Sequence, residues 1–232
     1  MSFEARAPSQ PEPEPAPNRS RRPPVARYRT DALLLAAAIL VFVLSALPVR
    51  PNRVPGLEED VFRAINSTVT VPFVLVWPVM QLGNFLVIPV AATVAAAARR
   101  FRLALSLLAG GLAAYLLAKL IKDFITRQRP GSLLPDVDLR SAPAGGLGYV
   151  SGHAAVIVFI ATVAAPYLGR RGRWAVYTLA ALVCLARIYV GAHLPLDVLG
   201  GAALGLALGA AMRLIMGRPQ QAEGEHGGPH VP

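Results

Sequence analysis

Residues 32–49 read ALLLAAAILVFVLSALPV, a run with no charged side chain and one hydroxyl, Ser45. A helix needs about 20 apolar residues to cross the roughly 30 Å hydrocarbon core of a bilayer. Asp31 and Arg50 fence this run at nearly that length. It is apolar all round, so it has no face to turn to water and must lie against lipid or protein on every side. Comparable runs recur at 103–121, 151–168, 174–190 and 195–214. Residues 71–98 are apolar too, but Pro72, Pro78, Pro89 and the pair Gly83-Asn84 interrupt them. They read as a short interfacial helix followed by a second span over 83–98, with one long kinked span as the alternative. The expected fold class is all-α: a polytopic membrane helix bundle of about six transmembrane helices.

Composition agrees. Hydrophobic residues make up 54% of the 232 positions and charged residues 16%, and mean hydropathy is +0.49. That excludes an ordinary soluble domain. A net charge of +10 would suit nucleic acid, but its placement does not. The arginines fall in short clusters between apolar runs, at 19–29, 99–102, 170–173 and the C-terminal end. Such clusters mark loops drawn to an anionic inner leaflet. No nucleic-acid partner is expected. By the positive-inside rule these clusters and both termini are cytoplasmic, and segments 50–70, 122–149 and 190–195 face outward from a cell membrane.

Residues 1–30 hold seven of the 21 prolines among Glu, Ser and Arg, and so cannot bury a core. They read as a disordered cytoplasmic tail, 31–216 as the membrane-embedded domain, and 217–232 as a disordered C-terminal tail. No cleavable signal peptide is expected, because the first apolar run follows about 30 polar residues and is too long for one. The lone cysteine, Cys184, excludes an intrachain disulfide. Leu57 to Arg63 has the pattern of a short amphipathic helix at a membrane surface. Gly201, Gly205 and Gly209, at spacing four, predict close helix packing.

The outward charges fall mainly into three clusters at span ends: Lys122 to Pro130, Val150 to His153, and Arg187 to Asp197. All three can meet at one membrane face. Lys122, Arg129 and Arg187 offer three cations with several donors, which suits an anion with several oxygens. Ser151, Gly152 and His153 open a span, where free backbone N–H groups and the helix dipole favour phosphate, and Gly152 lets the anion come close. His193 and His153 are the two histidines outside the C-terminal tail. Pro195 suits a first helical turn, which sets Asp197 within reach of His193. A carboxylate that holds an imidazole fixes its tautomer and raises its basicity, as a nucleophile requires.

These spacings resemble the type-2 phosphatidic acid phosphatases, or lipid phosphate phosphatases, whose site is shared with vanadium haloperoxidases. The family's motifs are K-x6-R-P, P-S-G-H and S-R-x5-H-x3-D. Lys122, Arg129 and Pro130 fit the first, Ser151, Gly152 and His153 the second, and Arg187, His193 and Asp197 the third. Val150 stands where the motif has proline, and Ala186 where it has serine. One lost hydrogen bond at the latter costs about 0.5–1.5 kcal/mol, or up to about 3 to a charged acceptor. The resemblance implies a phosphatase that needs no cofactor and no metal. His193 would attack phosphorus to form a phosphohistidine. His153 would protonate the leaving oxygen, and Asp197 would orient and charge His193. Lys122, Arg129, Arg187, Ser151 and Gly152 would hold the phosphate. Substrates implied are undecaprenyl pyrophosphate, phosphatidic acid or phosphatidylglycerol phosphate.

The rivals are a phosphotransferase, which would pass the phosphate to a lipid or sugar acceptor, and a non-catalytic protein that binds lipid phosphate. Binding alone needs only the cations, so His193, His153 and Asp197 argue for the enzyme. Span-end Arg, Lys and His often do no more than reach for headgroups. Lys119, Arg127, Arg140, Asp136 and Asp138 read as loop or interface charges, and Asn66-Ser67-Thr68 as a chance glycosylation triplet. The sequence carries no signal for an oligomeric state.

Overall fold

The computed structural model describes residues 25–68 and 71–219. Nine helices follow in order: α1 (Arg29–Ala46), α2 (Gly56–Thr68), α3 (Phe73–Gln81), α4 (Val87–Ala97), α5 (Phe101–Ile125), α6 (Pro130–Leu133), α7 (Gly152–Ala164), α8 (Arg170–Tyr189) and α9 (Pro195–Met216). A 3-10 turn, Ala165–Tyr167, extends α7. Among the described residues α1, α5 and α9 are long and apolar enough to cross a membrane unaided. At 25 residues α5 is about 37 Å long, more than a bilayer core needs. The arginines in the first turn of α8 make its 20 residues less apolar on average. The protein is an all-α membrane bundle.

α9 is the central helix. It packs against α1 on one side and α7 on another, while α5 touches both α7 and α9. The small-residue stripe makes this possible. A Cβ on Gly201 would press on the Ser151 carbonyl, one on Gly205 on the Ala155 carbonyl, and one on Gly209 would lie 2.6 Å from Thr162 Cγ2. The backbones of α7 and α9 therefore touch at Gly201 and Gly205, with the Thr162 side chain against Gly209, and each added methyl would cost about 1–3 kcal/mol of overpacking.

The basic clusters gather at one end. Arg100 Nη1 donates to the Tyr167 carbonyl at 2.8 Å, Arg102 donates to the Met216 carbonyl, and Arg27 Nε donates to the Leu214 carbonyl at 2.7 Å. The arginines thus satisfy carbonyls that helix C-termini leave free. Asp31, at the start of α1, lies buried beside Arg213 of α9 at 3.4 Å and Arg218 at 3.3 Å. The three motif clusters lie at the opposite end.

Several expectations need correction. Residues 25–30 are not part of a disordered tail: Val25–Ala26 pairs antiparallel with Arg218–Pro219, and α1 already begins at Arg29. The rest of the two tails lies outside the described residues. The expected short helix followed by a second span is present as α3 and α4, but the span starts at Val87 rather than at 83, after a turn at 82–86 around Gly83-Asn84. Arg170, Arg171 and Arg173 are the first turn of α8 rather than a loop before it, with Gly169 as N-cap. α2 does not simply float on a surface: Glu58, Phe62 and Asn66 are buried against the bundle, with α2 packed on α8 and α9.

Candidate functional site

Short backbone bonds stitch the three clusters together. Thr126 ends α5 in the left-handed region at φ 52°, which turns the chain across the end of the bundle. The strand-like segment that follows is held to residues 146–148: Arg129 N donates to the Gly146 carbonyl at 3.0 Å, and Gly148 N to the Arg127 carbonyl at 2.7 Å. Lys122, in the last turn of α5, donates to the carbonyls of Leu147 at 2.9 Å and Gly148 at 2.8 Å. Ser151 N then donates to the Asp197 carbonyl at 2.8 Å, which joins the second cluster to the third.

His193 lies in the turn between α8 and α9. Its N–H and that of Ala192 share the Arg187 carbonyl, at 3.2 and 3.1 Å. Gly191 makes this turn at φ +73°, and a Cβ there would lie 2.9 Å from the Asp138 carbonyl. Only glycine suits both demands. Leu194 is the N-cap of α9 and Pro195 opens its first turn. Asp197 Oδ2 accepts the Leu194 N–H at 2.9 Å and faces His193 Nδ1 at 3.5 Å. The two groups are at ion-pair distance but make no hydrogen bond, as in many unliganded sites. The imidazole is buried, with Arg187, Lys122, Arg129 and His153 as its charged or titratable neighbours. Burial first, then those cations, push its pKa well below 6.5, so it is neutral at pH 7.

The donors around it are buried and unspent. Among the described residues Arg129 Nε and Nη1, Arg187 Nε and His193 Nδ1 have no hydrogen-bond partner. Buried polar groups without partners are costly, and an anion with several oxygens satisfies them together. Arg187 Nη1 rests on Met80 Sδ at 3.6 Å. Gly152 opens α7, and a Cβ on it would meet nothing within 4 Å. Ser151 is buried, and its hydroxyl caps α7 by accepting from Ala154 N at 3.5 Å. His153 is half-buried beneath the α3–α4 turn, where a Cβ on Gly83 would lie 2.8 Å from its own Cβ. All eight candidate residues thus belong to one end of the bundle. Among the described residues no group of three or more His, Cys, Asp or Glu is placed to hold a metal ion.

The structure adds residues that the sequence reading set aside. Arg127 is not a loop charge: it is 0% exposed and bridges two carboxylates. Its Nη1 donates to Glu58 Oε1 at 2.9 Å and to Asp197 Oδ1 at 3.1 Å, and its Nη2 to Glu58 Oε2 at 2.5 Å. Burial alone would weaken its charge, but Glu58 and Asp197 outweigh that and raise its pKa. Arg140 also has a place, with its guanidinium 4.1 Å above the Tyr189 ring and paired with Asp138. Asn66 is buried, holding the Tyr189 carbonyl at 2.9 Å and the Asp138 backbone at 3.0 Å on both sides. Its amide is engaged as a clamp, which agrees with reading the glycosylation triplet as chance.

Comparison with known proteins identifies the family. The model of the PAP2 superfamily matches residues 103–220. A decaprenylphosphoryl-5-phosphoribose phosphatase of Mycobacterium tuberculosis is 33% identical over 189 residues, 80% of this chain and 93% of that protein. An undecaprenyl-diphosphatase of Sulfolobus acidocaldarius is 28% identical over 182 residues, 77% of this chain and 87% of that protein. The crystal structure of Aquifex aeolicus LpxE matches with TM-score 0.60 and 27% identity, covering 71% of this chain and 98% of that one. That of the transmembrane PAP2 type phosphatidylglycerolphosphate phosphatase from Bacillus subtilis matches with TM-score 0.62 over 77% of this chain and 94% of that one. At 23% identity the latter is a likeness of fold alone.

Proposed function

This chain belongs to the PAP2 superfamily, and from that premise we propose that it is a lipid phosphate phosphatase working through a phosphohistidine on His193, with its site on the outer face of the membrane. The observation that carries the reading is the buried imidazole of His193 set between Asp197 and unpaired guanidinium donors. Nδ1 faces the carboxylate, so the proton belongs there and the lone pair of Nε2 is free to attack. The phosphate sits on Lys122, Arg129, Arg187 and the Gly152 N–H, with Ser151 fixing the end of α7 that presents it. Attack forms the Nε2–P bond and breaks the bond from phosphorus to the lipid oxygen, which takes from His153 the proton that the monoanionic phosphate delivered to it on binding. The ring becomes positive, and Asp197 stabilises it. Water, with His153 now as base, then cleaves the N–P bond and releases phosphate.

Polyprenyl-linked phosphates are the favoured substrates, because both curated relatives above are named for such compounds. Phosphatidic acid and phosphatidylglycerol phosphate are the alternatives. The outward orientation rests on the arginine clusters at the end opposite the site. The test is purified protein given a panel of radiolabelled lipid phosphates, with samples quenched in alkaline SDS and assayed for phosphate release and for label on the protein. Release with a transient, acid-labile label that vanishes in His193→Ala is expected. Label that persists in His193→Ala would overturn the assignment, and label passed to an added alcohol in preference to water would make the protein a phosphotransferase.

A further inference from the structure

We propose that Glu58 is a positioning residue for this reaction: it shares the charge of Arg127 and so leaves the negative charge of Asp197 free to act on His193. The inference rests on the reading of His193 as nucleophile. Glu58 lies in the first turn of α2, far from the three motifs in sequence. It holds the site from two directions. Its two oxygens take both terminal nitrogens of Arg127, at 2.9 and 2.5 Å, and Oε1 also accepts the N–H of Leu196 at 2.9 Å, the residue before Asp197. Arg127 in turn reaches Asp197 Oδ1, while Asp197 Oδ2 is held by Leu194 N. The carboxylate is therefore fixed at both oxygens, with Oδ2 aimed at the imidazole.

The charge count gives the device its chemistry. A single buried guanidinium facing Asp197 alone would cancel it, and a cancelled carboxylate does little for an imidazolium. With Glu58 present, one cation serves two anions, and the buried cluster keeps a net negative charge beside His193. Every other full charge that acts on that ring is positive: Arg187 from α8, Lys122 from α5 and Arg129 from the loop after it, with His153 of α7 as the remaining titratable neighbour. The ring turns positive only once it has taken the phosphoryl group. A buried negative charge behind Asp197 thus favours the transition state and the phosphohistidine over free substrate. A Glu58 that served only to neutralise Arg127 would help the protein fold and leave the kinetics alone.

Glu58→Gln separates these roles, since glutamine keeps the shape and an acceptor for Arg127 and Leu196. The quantities to measure, per folded molecule, are kcat, KM and the pH dependence of phosphoenzyme formation. Expected is a fall in kcat on the order of tenfold or more with KM little changed. The acid limb of the profile should move down by about one pH unit, because removal of a negative charge makes the imidazole less basic. Glu58→Asp keeps the charge with a shorter reach, so its acid limb should stay in place while kcat falls. If Glu58→Gln does not accumulate, that limb together with Arg127→Lys carries the test, and a displaced limb in Glu58→Asp overturns the proposal. Wild-type kcat and an unmoved limb in folded Glu58→Gln overturn it as well. Phosphoenzyme trapping in His193→Ala keeps the two readings apart: label there sinks the nucleophile assignment, whereas its loss leaves that assignment standing whatever Glu58 does.

Discussion

Replacing Gly148 by alanine adds one methyl group where the site has no room for it. Gly148 is not among the glycines at positive φ, so the change brings no backbone strain. The added Cβ would lie 2.7 Å from Asp197 Oδ2 and 3.1 Å from the Gln128 carbonyl. The first distance is about 0.7 Å short of ordinary contact. Asp197 cannot give way cheaply, since Arg127 holds Oδ1 at 3.1 Å and Leu194 N holds Oδ2 at 2.9 Å. If segment 146–148 moves instead, it carries off the two carbonyls that anchor Lys122. Either route misplaces a group in the reaction. A misplacement of about 1 Å costs on the order of 100-fold, or about 2.7 kcal/mol, so the expected loss here is roughly 10- to 100-fold. Overpacking should also lower stability by about 1–3 kcal/mol, which leaves the protein folded if it is marginally to well stable. The assay is the rate of phosphoenzyme formation by rapid quench at saturating substrate, beside a thermal melt in the same detergent. A first-step rate within about threefold of wild type in Gly148→Ala would mean that the Asp197 geometry does not govern the chemistry.

Gly152→Ala should behave in the opposite way: nothing opposes its Cβ, so melting should be unchanged while KM rises as the phosphate is held off the α7 terminus. Unchanged KM would remove Gly152 from the phosphate site. His153→Ala should slow phosphoenzyme formation by about 10²–10⁴-fold with a lipid monoester and much less with p-nitrophenyl phosphate, whose leaving group needs no proton. Equal losses would show that His153 is not the acid. Activity should survive excess EDTA and be inhibited by orthovanadate, a trigonal phosphorus mimic; loss on chelation restored by magnesium would refute a metal-free route. An extracytoplasmic reporter fused after Ser141 should be active and one fused after Gly172 silent, and the reverse would place the site in the cytoplasm.

Much of this was legible in the residues. Uninterrupted apolar runs announced the long helices α1, α5 and α9, and Pro195 announced where α9 begins. The motif residues sit at helix ends, so their convergence followed from topology alone. Arg127 was harder to read. It stands two residues from Arg129 with the same side chain and no periodicity to tell them apart, and only the turn at Thr126 decides that one is sealed inside and bridges carboxylates. Glu58 was hidden by its neighbours: Glu59 and Asp60 are on the same helix, and three acids in a row look like a solvated face. Its burial is set by α9, which lies almost 140 positions along the chain. The break between α3 and α4 was legible at Gly83-Asn84, but the close approach of Gly83 to His153, with a Cβ there 2.8 Å from the His153 Cβ, is set by tertiary packing.

The way α1 is held has a consequence for how the protein is made. Its main packing partner is α9, the last helix, and its buried Asp31 meets Arg213 and Arg218 near that helix's far end. α1 therefore waits, with an unmatched carboxylate at its start, until α9 has been synthesised. Breaking such a buried pair costs about 3–5 kcal/mol, comparable to the whole stability margin of many proteins. The docking of α1 is thus completed only by the end of α9 and Arg218. A ribosome that stalls before Arg213 leaves a chain that holds every motif residue yet lacks the clasp for α1.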